Sequence, residues 1–540
     1  MVLLLSLHTF ERVLMSDNKI AIWIKSNRDI CYLIVFACFL LFNGFFLFRT
    51  IGFGSRSVLV FAGICAIVFC IICVFYYFIK GKSTFIHRVF LVMLLALGTM
   101  YSLVFQPIGA PDENYHFESS YKYSDYLMLK SADSELITVR VVDADLLNRM
   151  SELSYLSYSH YAEITENFEF RANSFEETTM TPISSFPLDS NPPQLKLPSA
   201  IGITIARLLG LGMYPLFYLG RFFNFLLFAL LCFFAVKITP VGKNAFMAIA
   251  LLPMTLHITS SYSYDAGIIG LSFLLVALCL KAIYNHKHLS YKDFIAIAVV
   301  AVLLAPCKAL YSLLVFVVIL VPAAAFSSKR NSILYKTGVI ILSFGSVLAF
   351  RLPTLLSITG ISRTDISIRG TEQNYLHTIT EFFTDPFETI TIFFRSLDAN
   401  GDFYLSSTIG GTLGWFQWQL VAPWFVVIAF LIVLLLSFLK TPNDTITIPF
   451  RHRILFFIIS CLGMFAIMLS MFTGWTFSTE NVIAGVQGRY LLPFVPLAAL
   501  VLRSNVIVSQ KSLKVLILFG ILALNLAYLT RIYAVITTIT

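Results

Sequence analysis

Runs of apolar residues recur along the chain near 31–48, 57–79, 89–107, 216–238, 244–260, 265–284, 294–306, 309–326, 333–350, 421–439, 454–472, 490–503 and 514–531. About 20 apolar residues in an α-helix cross the hydrocarbon core of a bilayer, and lipid leaves few other ways to satisfy a backbone. These runs predict an all-α polytopic transmembrane protein of about 13 membrane helices. The runs at 294–306 and 490–503 are short and read as re-entrant or unusually tilted. Composition agrees, because 58% of residues are hydrophobic and only 12% charged, against about 25% charged in a typical soluble chain. A surface this apolar cannot be hidden by folding in water. Soluble enzyme, disordered protein, coiled coil and nucleic-acid binder are excluded, and the lipid bilayer is the first partner.

The formal net charge of +9 must therefore be read by position, since basic residues flank the cytoplasmic ends of membrane helices. With the N-terminus inside, the short inner segments 1–30, 80–88, 237–243, 281–292, 329–336, 440–453 and 503–514 hold 21 Lys and Arg. The short outer turns hold Arg49, Arg56, Lys308, Arg489 and Arg531. This asymmetry predicts an N-in, C-out protein of the plasma (inner) membrane. The tail 1–30 lacks a small-residue cleavage site and reads as a cytoplasmic segment, with Met15 an alternative start. The organisation that follows is 31–107, three membrane helices; 108–215, a first outer loop; 216–350, central membrane helices; 351–420, a second outer loop; 421–540, the last membrane helices.

The first loop carries fifteen carboxylates between Asp112 and Asp189, so it reads as a folded lid or small helical subdomain. The stretch 199–213, interrupted by Arg207 and then by Gly210 and Gly212, reads as an interfacial helix. In the second loop, Leu376, Ile379, Phe382, Phe383 and Phe387 predict an amphipathic helix within Glu372 to Arg395. Nine cysteines lie in or beside apolar runs, Cys70 and Cys73 among them, and read as small buried residues without a disulfide framework.

The sharpest local feature is Pro111-Asp112-Glu113-Asn114-Tyr115-His116, at the outer end of the third run. Adjacent carboxylates with a histidine one turn on suit a general base or a metal site, and partial desolvation at the boundary would raise basicity. The plainer reading is a helix cap. Asn191-Pro192-Pro193-Gln194-Leu195 fixes an extended entry to a helix, or is a simple turn. Arg221, Lys308 and Arg489 stand at outer depth, where several cations can hold the phosphate of a lipid carrier or simply reach the headgroups. Asn224 lies one turn from Arg221, and Asp265 at an outer turn suits pairing with Arg221, a sugar hydroxyl, or a cap. His257, inside a run, reads as a packed residue. No P-loop, dinucleotide glycine pattern or nucleophile elbow is present, which argues against a nucleotide-driven reaction.

Pro111-Asp112-Glu113-x-x-His116, Asn191-Pro192-Pro193, Tyr218-Leu219-Gly220-Arg221-Phe222-Phe223-Asn224, Leu252-Pro253-Met254, Ser263-Tyr264-Asp265, Gly414-Trp415 and Gln487-Gly488-Arg489-Tyr490 occur in this order. As an ordered set from about residue 88 to 530 they resemble the bacterial membrane-protein family called domain of unknown function 2142. That family usually has a Lys followed by prolines where this chain has Pro306-Cys307-Lys308-Ala309. The family in turn resembles the GT-C glycosyltransferases, which take a sugar from a polyprenyl-phosphate carrier. The helices at 31–48 and 57–79 would then be an N-terminal addition.

The resemblance implies an inverting transfer to a cell-envelope glycan or glycopolymer. It implies Asp112 as general base with Glu113, acceptor binding or orientation by His116, Asn224 and Asp265, and phosphate binding by Arg221, Lys308 and Arg489. Its substrates are a polyprenyl-phosphate-linked sugar and an envelope glycan on the extracytoplasmic side. No cofactor is required, and a divalent metal is an option that some relatives use. Three competing readings remain open: a polysaccharide polymerase or ligase, a transporter or flippase of lipid-linked saccharide, and a non-catalytic scaffold. A transporter predicts mid-membrane ionisable residues and repeated halves, and the sequence displays neither.

Overall fold

The computed structural model describes residues 27–51, 55–80, 85–130, 136–152, 156–172, 178–184, 192–285, 289–358, 376–442, 444–503 and 506–539. The elements in chain order begin with α1 (Arg28–Thr50), α2 (Arg56–Ile79), α3 (Phe85–Val104), α4 (Glu113–Leu127), β1 (Ile137–Arg140), α5 (Val141–Glu152), α6 (Tyr158–Glu166) and β2 (Met180–Ser184). They continue with α7 (Leu197–Leu208), α8 (Met213–Ile238), α9 (Lys243–Ala250), α10 (Pro253–Thr259), α11 (Asp265–Tyr284), α12 (Tyr291–Leu304) and α13 (Lys329–Ile358). The last are α14 (Glu381–Thr384), α15 (Pro386–Ile409), α16 (Trp424–Phe438), α17 (Phe450–Trp475), α18 (Val495–Leu502) and α19 (Lys514–Ile536).

Among the described residues, eight helices are long and apolar enough to cross a membrane: α1, α2, α3, α8, α11, α13, α17 and α19. The other five expected runs differ for local reasons. Pro253 has no N–H and holds Leu252 extended, so 244–260 splits into α9 and α10. Pro493 and Pro496 interrupt 490–503, leaving a 3₁₀ turn and the eight-residue α18. The run 309–326 is wound as a 3₁₀ helix over Ala309–Leu320. At about 2.0 Å per residue this reaches further than an α-helix of equal length. The remaining two are the 14-residue α12 and the 15-residue α16.

The helices form nested layers. In α11, 89% of the apolar window is buried, and in α19 78%, against 17% in α1 and 22% in α2. Thus α11 is the axis of the bundle, and α1 and α2 lie at its edge. α8 packs along α11 on one side and along α7 on the other. The close approach of α7 to α8 needs Gly202, where a Cβ would lie 2.6 Å from the Leu219 carbonyl oxygen.

The first outer loop folds as a subdomain with its own core, built from Phe117, Tyr121, Val139, Leu146, Ile203 and Tyr214. It includes an antiparallel pair, β1 with β2, which the all-α expectation lacked. A buried Arg140–Asp143 ion pair at 2.7 Å, capped by the Tyr121 hydroxyl, secures that pair to α4. α7 buries Ala200, Ile203 and Ala206 and exposes Ile201 and Leu208. Its Arg207 does not reach outward but pairs with Asp125 on α4 at 2.8 Å.

In the second outer loop, residues 372–375 of the expected amphipathic helix lie outside the described residues. The helix itself is displaced: α14 stops, Pro386 opens α15, and α15 continues past Arg395 to Ile409. Asp385 caps the start by accepting from the Glu388 N–H, and Gly410 ends it at φ +119°. Phe387, Ile390, Phe394 and Leu397 form its exposed apolar stripe. All nine cysteines are free.

Candidate active site

The turn after α3 brings Asp112, Glu113 and His116 to the end of the bundle where α8 and α11 begin. Arg221, two turns into α8, points into the end of α3. Its Nε and Nη2 donate to Glu113 at 2.7 and 2.6 Å, and its remaining N–H groups go to the carbonyls of Ser102, Phe105 and Gln106. All five guanidinium protons are used, at a helix C-terminus where carbonyls lack partners and positive charge is favoured. Glu113 is equally occupied: besides Arg221 it accepts from the N–H groups of Ala110 and Tyr262. Both side chains are at most 1% exposed. The phosphate-binding role read for Arg221 and the catalytic role read for Glu113 therefore give way to a structural one. The pair locks α3, α4, α8 and the loop before α11 together.

Asp112 is different. Its backbone is left-handed, at φ 58° and ψ 21°, which is uncommon outside glycine although Asp tolerates it better than most. It stands at the cap position of α4, yet its side chain makes no capping hydrogen bond. The simple helix-cap reading is thereby set aside. The carboxylate is 59% exposed, so the desolvation expected at a membrane boundary is absent. It faces Arg489 at 3.6 Å.

Arg489 enters from the 3₁₀ turn Gly488–Leu491 and is only 6% exposed. Its Nη2 is 3.6 Å from Asp112 and its Nε 3.6 Å from Asp265, both beyond good hydrogen-bond reach. Nε has no hydrogen-bond partner among the described residues, and Nη2 makes only a long contact of 3.4 Å to the Tyr490 hydroxyl. Lys308 lies 3.5 Å from the other oxygen of Asp265, over the rings of Tyr490 at 4.3 Å and Tyr264 at 5.0 Å. Asp265 thus pairs with Lys308 and Arg489, not with Arg221. The turn that carries Lys308 is fastened by Arg351, which donates to the carbonyls of Pro306 and Cys307. Gly488 is required beside Arg489, since a Cβ there would lie 2.1 Å from the Thr408 nitrogen.

His116 is buried one turn into α4, with Nδ1 2.7 Å from the ammonium of Lys196. Burial pushes its pKa well below the usual histidine value, and Lys196, Arg489 and Lys308 push the same way, so the ring is neutral at pH 7 and accepts from Lys196. Asn224 donates to the carbonyls of Ser261 and Ser263 and so shapes the loop that delivers Tyr264 and Asp265. His257 is packed against Phe105 at 4.2 Å and accepts from the Gly414 N–H.

Of the residues singled out from sequence, Asp112, His116, Asp265, Lys308 and Arg489 form one cluster, and Glu113, Arg221 and Asn224 support it from behind. Asn191 lies outside the described residues. The functional residue missed is Lys196, fully buried next to the Pro192-Pro193 turn. A lysine at a helix start after two prolines was the available signal. Among the described residues, no group of three or more His, Cys, Asp or Glu could hold a metal ion. The cluster does not fit a resident divalent metal. It offers one exposed carboxylate beside two cations with hydrogen-bond donors to spare, a layout able to take a proton on one side and hold an anion on the other.

Fold and site together define a polytopic, multi-pass membrane protein with a polar cluster at one end of its bundle. Residues 95–498 match the family described as "Predicted membrane protein", domain of unknown function 2142, and the chain belongs to that family. No curated protein matches the chain, and no solved structure does.

Proposed function

We propose that the protein is a membrane glycosyltransferase that moves a sugar from a polyprenyl-phosphate carrier to a cell-envelope glycan on the extracytoplasmic side. The observation that carries this reading is Arg489: a buried guanidinium whose neighbouring carboxylates both stand at 3.6 Å, leaving donors for an anion. Arg489 supplies fork-like hydrogen bonds to a phosphate, and Lys308 a point charge. Asp112, exposed and strained, faces the same guanidinium.

In the reaction, the acceptor hydroxyl attacks the anomeric carbon and gives its proton to the Asp112 carboxylate. The new C–O bond forms as the bond from the anomeric carbon to the phosphate oxygen breaks, with inversion. The electron pair leaves on the polyprenyl phosphate, where Arg489 and Lys308 stabilise the growing negative charge. Asp265 holds both cations in register. His116 and Lys196 order the wall beside Asp112. Glu113 and Arg221 fix the turn that bears it.

Asp112→Asn tests the assignment. With normal membrane levels of the variant, the cell-surface glycan is analysed for its sugar decoration. Loss of one sugar is expected, and unchanged decoration overturns the catalytic reading.

A further inference from the structure

A cavity of about 330 Å³ opens between α4, α5 and β2, in the subdomain of the first outer loop. The cluster around Arg489 uses none of its lining. Asn114 and Glu118 face it one helical turn apart on α4. Asn148 of α5 and Thr181 of β2 close the polar part, and Leu147 and Ile183 give it apolar patches. Glu118 is only 7% exposed, whereas Asn148 sits at the open rim. Asn114 follows Asp112 by two residues, so the cavity starts where the exposed carboxylate ends.

We infer that this cavity is a subsite for a neutral, hydroxyl-rich saccharide. The inference rests on the transferase reading and names the chemistry of its acceptor. Amide side chains both donate to and accept from hydroxyl groups, and a buried carboxylate accepts from them. Apolar patches between such groups suit the C–H faces of a sugar ring. The volume lies at the small end of ligand sites. No Lys or Arg is among the residues that line the cavity, so a phosphate-bearing or uronate polymer would meet Glu118 without a facing cation. Charge therefore sorts the two substrates. The anionic carrier goes to Arg489 and Lys308, and the neutral glycan to Asn114, Glu118 and Asn148.

The test uses the full-length protein in nanodiscs with three probes: maltotriose, tri-N-acetylchitotriose and trigalacturonate, measured by saturation-transfer NMR. At least one neutral trisaccharide is expected to bind. Asn148→Trp, which fills the rim from an exposed position, should weaken it at least tenfold, and Arg489→Gln should not weaken it. Trigalacturonate should bind least. The inference is overturned if neither neutral probe binds, if Asn148→Trp leaves binding intact, or if trigalacturonate binds best. Failure of the transferase reading looks different: decoration survives Asp112→Asn while the trisaccharide still binds and still responds to Asn148→Trp.

Discussion

Replacing each of the two buried arginines by glutamine separates a cation that holds the fold from one that holds a ligand. Arg221→Gln removes an ion pair at 2.6 Å and hydrogen bonds to three carbonyls at the end of α3. Breaking one side of a buried pair costs about 3–5 kcal/mol, because the other charge stays behind unpaired. Each stranded carbonyl adds about 1–3 kcal/mol, of which the glutamine amide recovers part. A loss of at least about 4 kcal/mol is expected, roughly a thousandfold in the unfolding constant and a large share of a typical 5–15 kcal/mol. Arg489→Gln removes no hydrogen bond shorter than 3.4 Å, and Lys308 remains to compensate Asp265. Its expected cost is about 1–2 kcal/mol, within the ordinary range for a point mutation. The assay is SDS-driven unfolding in mixed micelles, followed by tryptophan fluorescence. A second arm measures binding of a polyprenyl-phosphate sugar, which Arg489→Gln should abolish. Equal losses of stability within about 1 kcal/mol would refute the distinction between spent and unspent guanidinium groups. The double variant Glu113→Gln/Arg221→Met should recover much of the Arg221→Gln loss, since no buried charge is then left alone.

Asp112→Gly should raise the unfolding midpoint while eliminating transfer, because glycine occupies φ 58° without strain. A lowered midpoint would show that the carboxylate contributes more to the fold than its strain costs. His116 is held neutral, so the unfolded state binds the extra proton, and stability should be full above about pH 6.5 and fall as pH drops below it. The slope approaches about 1.4 kcal/mol per pH unit for this one group. It should be missing in His116→Gln when both are unfolded between pH 4.5 and 7.5. Gly488→Ala should cost about 1–3 kcal/mol and displace Arg489, since the added carbon would lie 2.1 Å from backbone. Transfer that survives this change at full rate would argue against the placement of Arg489.

Much of the fold was legible because hydropathy reports long helices directly. The runs later seen as α1, α2, α3, α8, α11, α13, α17 and α19 all carry that signal. The failures have local causes. Proline divided 244–260 and 490–503, and a run of apolar residues does not reveal whether 309–320 winds as 3₁₀ or α. The short strands β1 and β2 lie in a polar loop and pair over 40 residues apart, beyond the reach of periodicity.

In the site, the sequence names residue types but not where their hydrogen bonds go. Arg221 and Arg489 look alike as outer-depth arginines. Only the structure separates five spent donors from an Nε with no partner. The same limit hid Lys196, which meets His116 across 80 residues of chain.

The edge position of α1 and α2 has a consequence for assembly. Their chief partner is α19: Asn43 donates to the Ala527 carbonyl, 484 residues later in the chain, and Phe61 stacks on Tyr533 at 4.6 Å. At ribosomal rates of about 5–20 residues per second, α1 and α2 wait roughly 25–100 s for that partner. Helices that must wait this long have to be at home in lipid by themselves, and the exposed apolar residues around both are suited to that wait. The membrane thus acts as a holding solvent for this pair, and the arrival of α19 is the step that converts two independent spans into part of the bundle.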